Sequence, residues 1–128
     1  MSEILHVGLD VGSTTVKIIV MDENRNTIYK NYQRHFSDTK NTVCNVLESL
    51  LLKYPSNSFT LALTGSGAMS AAKFLGVDFI QEVVSCKRAV EKYIPKTDVV
   101  IELGGEDAKI IYFDQSIEQR MNGTCAGG

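Results

Sequence analysis

Residues 8–17 have the sequence GLDVGSTTVK, and the fold prediction starts from this stretch. The apolar run from Ile4 predicts a buried strand whose end carries the carboxylate of Asp10. Gly12 allows the backbone to turn tightly and to approach a ligand closely. A second strand is predicted from about Thr15 to Asp22, so the stretch is a strand, a glycine turn and a returning strand.

The turn at residues 12–14, called here the first glycine turn, has the chemistry of a phosphate site. Hydroxyls and backbone N–H groups suit phosphate oxygens, and the candidates are Gly12, Ser13, Thr14 and Thr15. Asp10 repels phosphate, so we expect its carboxylate to hold a magnesium ion or its water shell. Lys17 adds a positive charge if it faces the turn. The spacing matches neither a Walker A loop nor a dinucleotide GxGxxG motif, and a plain hairpin turn is the alternative.

Residues 102–109, ELGGEDAK, repeat this pattern. An apolar strand from Asp98 to Leu103, predicted to be buried, brings an acid to its end, two glycines turn the chain, and a strand with a lysine follows. The candidate site residues of this second glycine turn are Glu102, Gly104, Gly105 and Glu106. Two copies of one pattern favour a cleft in which both turns face a shared phosphate group. Two unrelated hairpin turns are the alternative.

The other elements complete an α/β pattern. A third strand is predicted from Thr27 to about Arg34, which makes an antiparallel meander. A helix is predicted between a cap at Asp38 or Thr39 and Pro55, from apolar residues at helical spacing: Val43, Val46, Leu47, Leu50, Leu51 and Tyr54. The main elements follow as βββ-α-β-α-α-β-β, a mixed sheet covered by helices, with short extended pieces near Phe79 and from Ile117 to Met121. The turn at residues 65–67 either approaches a ligand or simply joins a strand to a helix.

Composition excludes several classes of function. The 128 residues suit one domain, and 44% hydrophobic with 22% charged residues is typical of a globular protein. A net charge of -2 argues against nucleic acid or an anionic membrane as the main partner. The N-terminus lacks the pattern of a signal peptide, and no apolar run approaches the roughly 18 to 20 residues of a membrane span. We therefore expect a cytoplasmic protein. His6 and His35 lack metal-ligand spacing and are interpreted as ordinary strand or loop residues.

The three cysteines form neither a disulfide framework nor a CxxC pair. Cys44 and Cys86 fall on predicted helices and are expected to be structural. Cys125 lies in the glycine-rich segment 121–128, MNGTCAGG, where an exposed thiolate would bind iron or zinc or react. A small buried residue in a turn is the alternative. This segment has the pattern of an entry to a further turn, so we expect residues 1–128 to be one N-terminal subdomain of a longer protein, interrupted within the cysteine motif.

In the three segments 8–14, 102–109 and 121–128 the chain resembles the activator, or ATPase, components of 2-hydroxyacyl-CoA dehydratases and benzoyl-CoA reductases. The resemblance runs in order along the whole chain, and the three motifs together are specific. It implies a ribonuclease-H-like fold of the actin, heat-shock chaperone and sugar-kinase superfamily. It also implies binding of ATP or ADP with magnesium, with Asp10 and Glu102 in catalytic roles.

In this family two subunits share one four-iron, four-sulfur cluster, and each gives two cysteine thiolates. The resemblance therefore implies a homodimer in which Cys125 is one cluster ligand, and the second ligand lies further along the chain. It implies that ATP hydrolysis drives an electron, supplied by ferredoxin or flavodoxin, to a dehydratase or reductase. Many activators carry Asp and Gln where this chain has Glu102 and Glu106, and the glutamates resemble the long fused versions.

Two other classes of function stay open on the sequence. The first is a small-molecule kinase of the same superfamily, for a sugar or a carboxylate, which needs a catalytic base that the sequence does not clearly offer. The second is a non-catalytic ribonuclease-H-like binding module. The cysteine motif favours the activator over both.

Overall fold

The structure is a computed structural model that describes residues 2–105 and 107–113 and, for residues 117–121, the backbone alone. The chain divides into two compact units, Met1–Ile80 and Gln81–Gly128. The elements in chain order are β1 (Ile4–Val11), β2 (Thr15–Met21), β3 (Thr27–Arg34), α1 (Thr39–Lys53), β4 (Ser58–Thr64), α2 (Met69–Leu75), β5 (Asp78–Phe79), α3 (Glu82–Tyr93), β6 (Val99–Leu103), β7 (Ala108–Phe113) and β8 (Ile117–Met121). The observed order differs from the main predicted order by the two short strands β5 and β8, which were expected as extended pieces.

The first unit is built on a five-stranded sheet in the order β3-β2-β1-β4-β5. Strands β1, β2 and β3 pair antiparallel as the predicted meander. Strand β4 pairs parallel with β1, and β5 pairs parallel with β4. The sheet is therefore mixed, as predicted, and the parallel pairing brings the end of β4 next to the end of β1.

The core of the first unit follows from alternation along the strands. Side chains at every second position of β1 and β2 are buried on one face: Leu5, Val7, Leu9, Val11, Val16, Ile18 and Val20. Helix α1 packs its apolar stripe against this core through Val43, Val46 and Leu50. Each fully buried side chain of this kind stabilises the fold by roughly 1.5–3 kcal/mol relative to its exposed state. The buried face fixes the register that places Asp10 and Lys17 on the opposite face.

Two details of α1 differ from the sequence-based expectation. Leu51 is 56% exposed, because it lies on the edge of the apolar stripe, next to the buried Leu50. Asp38 occupies the N-cap position, but its side chain makes no capping hydrogen bond to the backbone. Its Oδ2 atom accepts a hydrogen bond from the Asn41 side chain at 3.0 Å instead. The position of the helix start was thus predicted correctly, whereas the cap interaction was not.

The second unit holds α3 and a three-stranded antiparallel sheet in the order β6-β7-β8. Ile111 on β7 is fully buried. Strand β6 was predicted to be buried, and this was wrong for one of its faces: Val99, Ile101 and Leu103 are exposed by 45%, 64% and 78%. These three side chains form an apolar face, and a sequence pattern does not show whether another element covers such a face.

Within the described residues, no helix is long and apolar enough to span a membrane.

Candidate phosphate-binding site

The first glycine turn is closed by the pairing of the strands on either side of it. Val11 pairs with Val16, and the Gly12 amide donates to the Thr15 carbonyl at 2.9 Å. Ser13 is exposed and Thr14 is half-buried, whereas Thr15 is buried. Among the residues that the structure describes, the backbone amides of Ser13 and Thr14 have no hydrogen-bond acceptor. The turn therefore presents two unused N–H donors, which is what a phosphate oxygen requires.

Asp10 and Lys17 form an ion pair beside this turn. They are direct partners in the antiparallel β1–β2 register, and Lys17 Nζ lies 3.0 Å from Asp10 Oδ2. Their side chains are 38% and 40% exposed, so both can reach a ligand in solvent. The lysine also lies over the Tyr32 ring, with Nζ 5.7 Å from the ring centroid. The pairing places Lys17 on the same face of the sheet as Asp10, and the predicted role of its charge at the turn stays a prediction.

The turn at residues 65–67, called here the GSG turn, packs directly on the end of β1. The Gly67 amide donates to the Val11 carbonyl at 2.8 Å. A Cβ atom on Gly65, whose φ is +105°, would lie 2.3 Å from the Val11 carbonyl oxygen and 2.6 Å from Asp10 Oδ1. Only glycine fits that space. The sequence left the role of this turn open, and the structure places it against the aspartate of the candidate site.

Thr64, the last residue of β4, adds a hydroxyl next to this aspartate. It is the direct partner of Asp10 in the parallel β1–β4 register, so both side chains lie on the same face of the sheet. Its Oγ1 atom is buried and has no hydrogen-bond partner within the described part of the chain. Buried polar atoms are normally satisfied, so this hydroxyl is available to a group bound beside Asp10. The sequence-based reasoning missed Thr64, although its position just before the GSG turn was a usable signal.

The oxygen donors here fit magnesium. Magnesium binds through one or two carboxylates and keeps several waters, and Asp10 offers a carboxylate beside the Thr64 hydroxyl. Within residues 2–105 and 107–113 there is no group of three or more His, Cys, Asp or Glu side chains that could hold a metal. A hydrated magnesium ion carried by phosphate oxygens suits this sparse donor set better than an ion held by protein ligands alone.

The second glycine turn joins β6 to β7. Glu102 is half-buried and lies opposite Lys109 in the antiparallel β6–β7 register. The Gly104 amide donates to the Asp107 carbonyl at 2.8 Å. A Cβ on Gly104 would lie 2.8 Å from Asp107 Oδ1, so the turn is compact. Gly104 and Gly105 are exposed, as an approach to a ligand requires, while Glu106 lies outside the described residues. The expected sharing of one phosphate group by the two glycine turns stays a prediction.

An ion pair joins β7 to α3 within the second unit. Lys109, 5% exposed, forms an ion pair with Glu82 at the start of α3. Burial, and then the negative charge of Glu102, raise the pKa of the Cys86 thiol above its ordinary value. The raised pKa lowers the fraction of thiolate at Cys86, and the thiolate is the form that binds metals. Cys44 is exposed on α1, and Cys125 lies outside the described residues.

His35 had no functional role in the sequence-based prediction. It was interpreted as an ordinary loop residue, yet it is 6% exposed and lies beneath the first glycine turn. Its Nε2 atom is 3.0 Å from the Gly12 carbonyl oxygen, and its backbone amide donates to the Thr14 carbonyl at 3.1 Å. No periodic signal could have found it, because its neighbours lie 21 to 23 residues earlier in the sequence.

A mixed sheet of this topology, with two acid-and-glycine turns at strand ends, defines the class of ribonuclease-H-like ATPases that includes actin and the sugar kinases. The chain belongs to the BadF/BadG/BcrA/BcrD ATPase family, whose model matches residues 7–128. The resemblance inferred from the motifs is thereby confirmed. The fold prediction, an α/β subdomain with a mixed sheet, is confirmed as well.

Two characterised relatives carry informative names. The chain is 30% identical over 128 residues to the (R)-2-hydroxyglutaryl-CoA dehydratase activating ATPase of Acidaminococcus fermentans, covering 95% of this chain and 48% of the relative. It is 29% identical over 129 residues to the 2-hydroxyisocaproyl-CoA dehydratase activator of Clostridioides difficile, covering 95% and 47%. The chain thus spans about half the length of these relatives.

Solved structures of a family member and of a more distant protein are similar to this chain. The activator of the 2-hydroxyisocaproyl-CoA dehydratase from Clostridium difficile, with bound ADPNP, matches with a TM-score of 0.78 at 26% identity, over 95% of this chain and 47% of that one. A Ppx/GppA family member from Aquifex aeolicus matches with a TM-score of 0.61 at 12% identity, over 96% of this chain and 52% of that one, which shows a shared fold alone.

Proposed function

We propose that the chain is the N-terminal, phosphate-binding part of an ATPase that activates a 2-hydroxyacyl-CoA dehydratase or a related CoA-ester reductase. The observation that carries the proposal is the first glycine turn, with its unused amides, beside the Asp10–Lys17 pair. The names of the relatives support the activator role, and the ADPNP-bound neighbour supports a nucleotide as ligand. The activity belongs to the intact protein, because this chain corresponds to about half of those relatives.

The residues of the first glycine turn divide the work on the nucleotide. The Ser13 and Thr14 amides and hydroxyls bind phosphate oxygens, with Gly12 and Thr15 keeping the turn closed. Lys17 neutralises phosphate charge and forms an ion pair with Asp10 beside it. A magnesium ion, when bound, would neutralise charge on the phosphates, and Asp10 would hold it or its water shell.

The second glycine turn is assigned to the same nucleotide because it repeats the strand, acid and glycine pattern of the first. Glu102 is the proposed acid, and Gly104 and Gly105 allow the backbone to come close to phosphate. Glu106 is included from the resemblance alone, since it lies outside the described residues. The half-buried setting of Glu102 suits a residue that orients a water or a metal-bound water near the phosphates.

The electron-transfer part of the proposal rests on the cysteine motif. Cys125 is the proposed ligand of a four-iron, four-sulfur cluster shared by two subunits of a homodimer. The other candidate in the second unit, Cys86, is disfavoured because its raised pKa opposes the thiolate form that iron binds. Ferredoxin or flavodoxin would supply the electron, and the dehydratase or reductase would receive it.

Anaerobic iron and sulfide reconstitution of the intact protein tests the cluster. We expect a broad absorbance at about 400 nm in the wild type, as iron–sulfur clusters generally give, and its loss in Cys125→Ser. Cys44→Ser is the matched control, because Cys44 is an exposed cysteine on a helix of the other unit. An unchanged spectrum in Cys125→Ser would refute the ligand assignment, and phosphorylation of a sugar or carboxylate by the intact protein would favour a kinase instead.

A further inference from the structure

His35 is a buried polar side chain whose hydrogen bonds determine where its proton lies. The Ser37 backbone amide donates to Nδ1 at 3.1 Å, so Nδ1 must carry a lone pair. Nε2 must then carry the hydrogen, and it donates to the Gly12 carbonyl at 3.0 Å. A proton on Nδ1 would face the Ser37 amide hydrogen. Both contacts are therefore satisfied only by the neutral imidazole protonated on Nε2.

The backbone next to His35 is strained in a way that maintains this arrangement. Phe36 and Ser37 have φ values of 49° and 65°. These values lie in the left-handed region, which residues other than glycine rarely adopt. Strain of this kind is retained where the surrounding structure fixes it, often at functional sites. Here it places the Ser37 amide where Nδ1 can accept its hydrogen.

The consequence for the first glycine turn is electrostatic. Two of its carbonyl oxygens are engaged by one residue: Gly12 by the His35 ring and Thr14 by the His35 backbone amide. Free carbonyl oxygens would repel a phosphate group. Holding both of them towards His35 leaves the Ser13 and Thr14 amides on the turn as donors for a ligand.

We propose that His35 is a positioning residue for the nucleotide phosphates, and that it acts as the neutral Nε2–H imidazole by anchoring the carbonyls of the first glycine turn. This inference rests on the proposed function, because it takes that turn to be the phosphate site. His35 itself contacts the turn and not the phosphates.

Steady-state kinetics of magnesium-dependent ATP hydrolysis by the intact protein test the positioning role. Loss of one neutral hydrogen bond in His35→Leu is expected to raise KM for ATP roughly 3- to 10-fold with kcat nearly unchanged, since phosphate contacts serve ground state and transition state alike. His35→Gln keeps a donor near the Nε2 position and should restore most of the affinity. His6→Leu is the control, because the His6 ring bonds the Thr60 hydroxyl, at 2.7 Å, and not the first glycine turn.

The outcomes separate the two proposals. A wild-type protein that hydrolyses ATP, together with a His35→Leu variant of unchanged KM, would overturn the role of His35 and leave the proposed function standing. A wild-type protein without hydrolysis would overturn the proposed function, and the anchoring is then decided by nitrogen NMR of the imidazole in the full chain. That spectrum should show the proton on Nε2 alone, and a proton on Nδ1 would overturn the inference even if His35→Leu failed to fold.

Discussion

Lys17 and Asp10 pair across β1 and β2 with 3.0 Å between Nζ and Oδ2, at a place where both side chains remain about two-fifths exposed. An ion pair this accessible contributes little to folding, about 0–1 kcal/mol. Its position beside the unused amides of Ser13 and Thr14 gives it a different significance. In the proposed function, this pair supplies one positive and one negative group to a phosphate and its magnesium ion.

Lys17→Met separates these two contributions. We expect the free energy of unfolding, measured by urea titration, to fall by about 1 kcal/mol or less, because the pair is exposed. KM for ATP of the intact protein should rise roughly 10-fold or more, because a hydrogen bond to a charged group is lost. Lys30→Met is the matched control on the exposed strand β3 and should change neither quantity. An unchanged KM in Lys17→Met would remove Lys17 from the site.

Gly65→Ala tests the contact between the GSG turn and the end of β1. The added Cβ would meet the Val11 carbonyl at 2.3 Å in a backbone with φ of +105°, so we expect a loss of more than about 2 kcal/mol in the free energy of unfolding. Gly76→Ala is the control, because its φ is also positive, at +67°, but nothing lies within 4 Å of the added atom.

Gly76→Ala should cost about 1–2 kcal/mol, the conformational penalty alone. Equal losses in the two variants, measured by urea titration of the chain, would contradict the close approach of the GSG turn to β1.

The thiol of Cys86 provides a test by pH. Its pKa is raised by burial and by Glu102, so at pH 8 a smaller fraction is thiolate than in an ordinary thiol, and alkylation by iodoacetamide should be slower than at the exposed Cys44. Glu102→Gln removes the second cause and should accelerate alkylation of Cys86 only, while Glu48→Gln should not. Mass spectrometry of the separate cysteine peptides gives each rate. A faster rate at Cys86 than at Cys44 would contradict its neutral, shielded state.

The parts of this fold that could be predicted from sequence are those set by local patterns. The meander of β1 to β3 followed from alternating apolar residues and short polar turns, and α1 followed from a helical stripe ended at Pro55. The first glycine turn could be predicted because all its residues are adjacent in the chain. Long-range pairing set what could not be predicted: β4 lies parallel to β1, which brings the GSG turn onto Val11 across more than fifty residues.

Two further differences have the same origin. The exposed face of β6 could not be predicted, because its residues Val99, Ile101 and Leu103 are all apolar and the pattern assigns them to a core. The burial of His35 depends on a connection with two residues at positive φ. Neither residue is glycine, so the sequence contains no turn residue that predicts this backbone conformation. Composition and spacing predict local structure, whereas the exposure of β6 and the burial of His35 depend on contacts between distant segments.

The proposed function depends most on one assignment: Asp10 holds magnesium, and the first glycine turn binds the phosphates of ATP. The most direct measurement is the magnesium-dependent rate of ATP hydrolysis by the intact protein, compared between Asp10→Asn and Asp22→Asn. Asp22 is the control because it lies in the β2–β3 turn, where its carboxylate accepts the Asn26 amide at 2.8 Å. We predict that Asp10→Asn lowers the rate roughly 100-fold or more, since a metal contact contributes several kcal/mol, while Asp22→Asn retains it. Equal magnesium-dependent rates in Asp10→Asn and the wild type would contradict the claim.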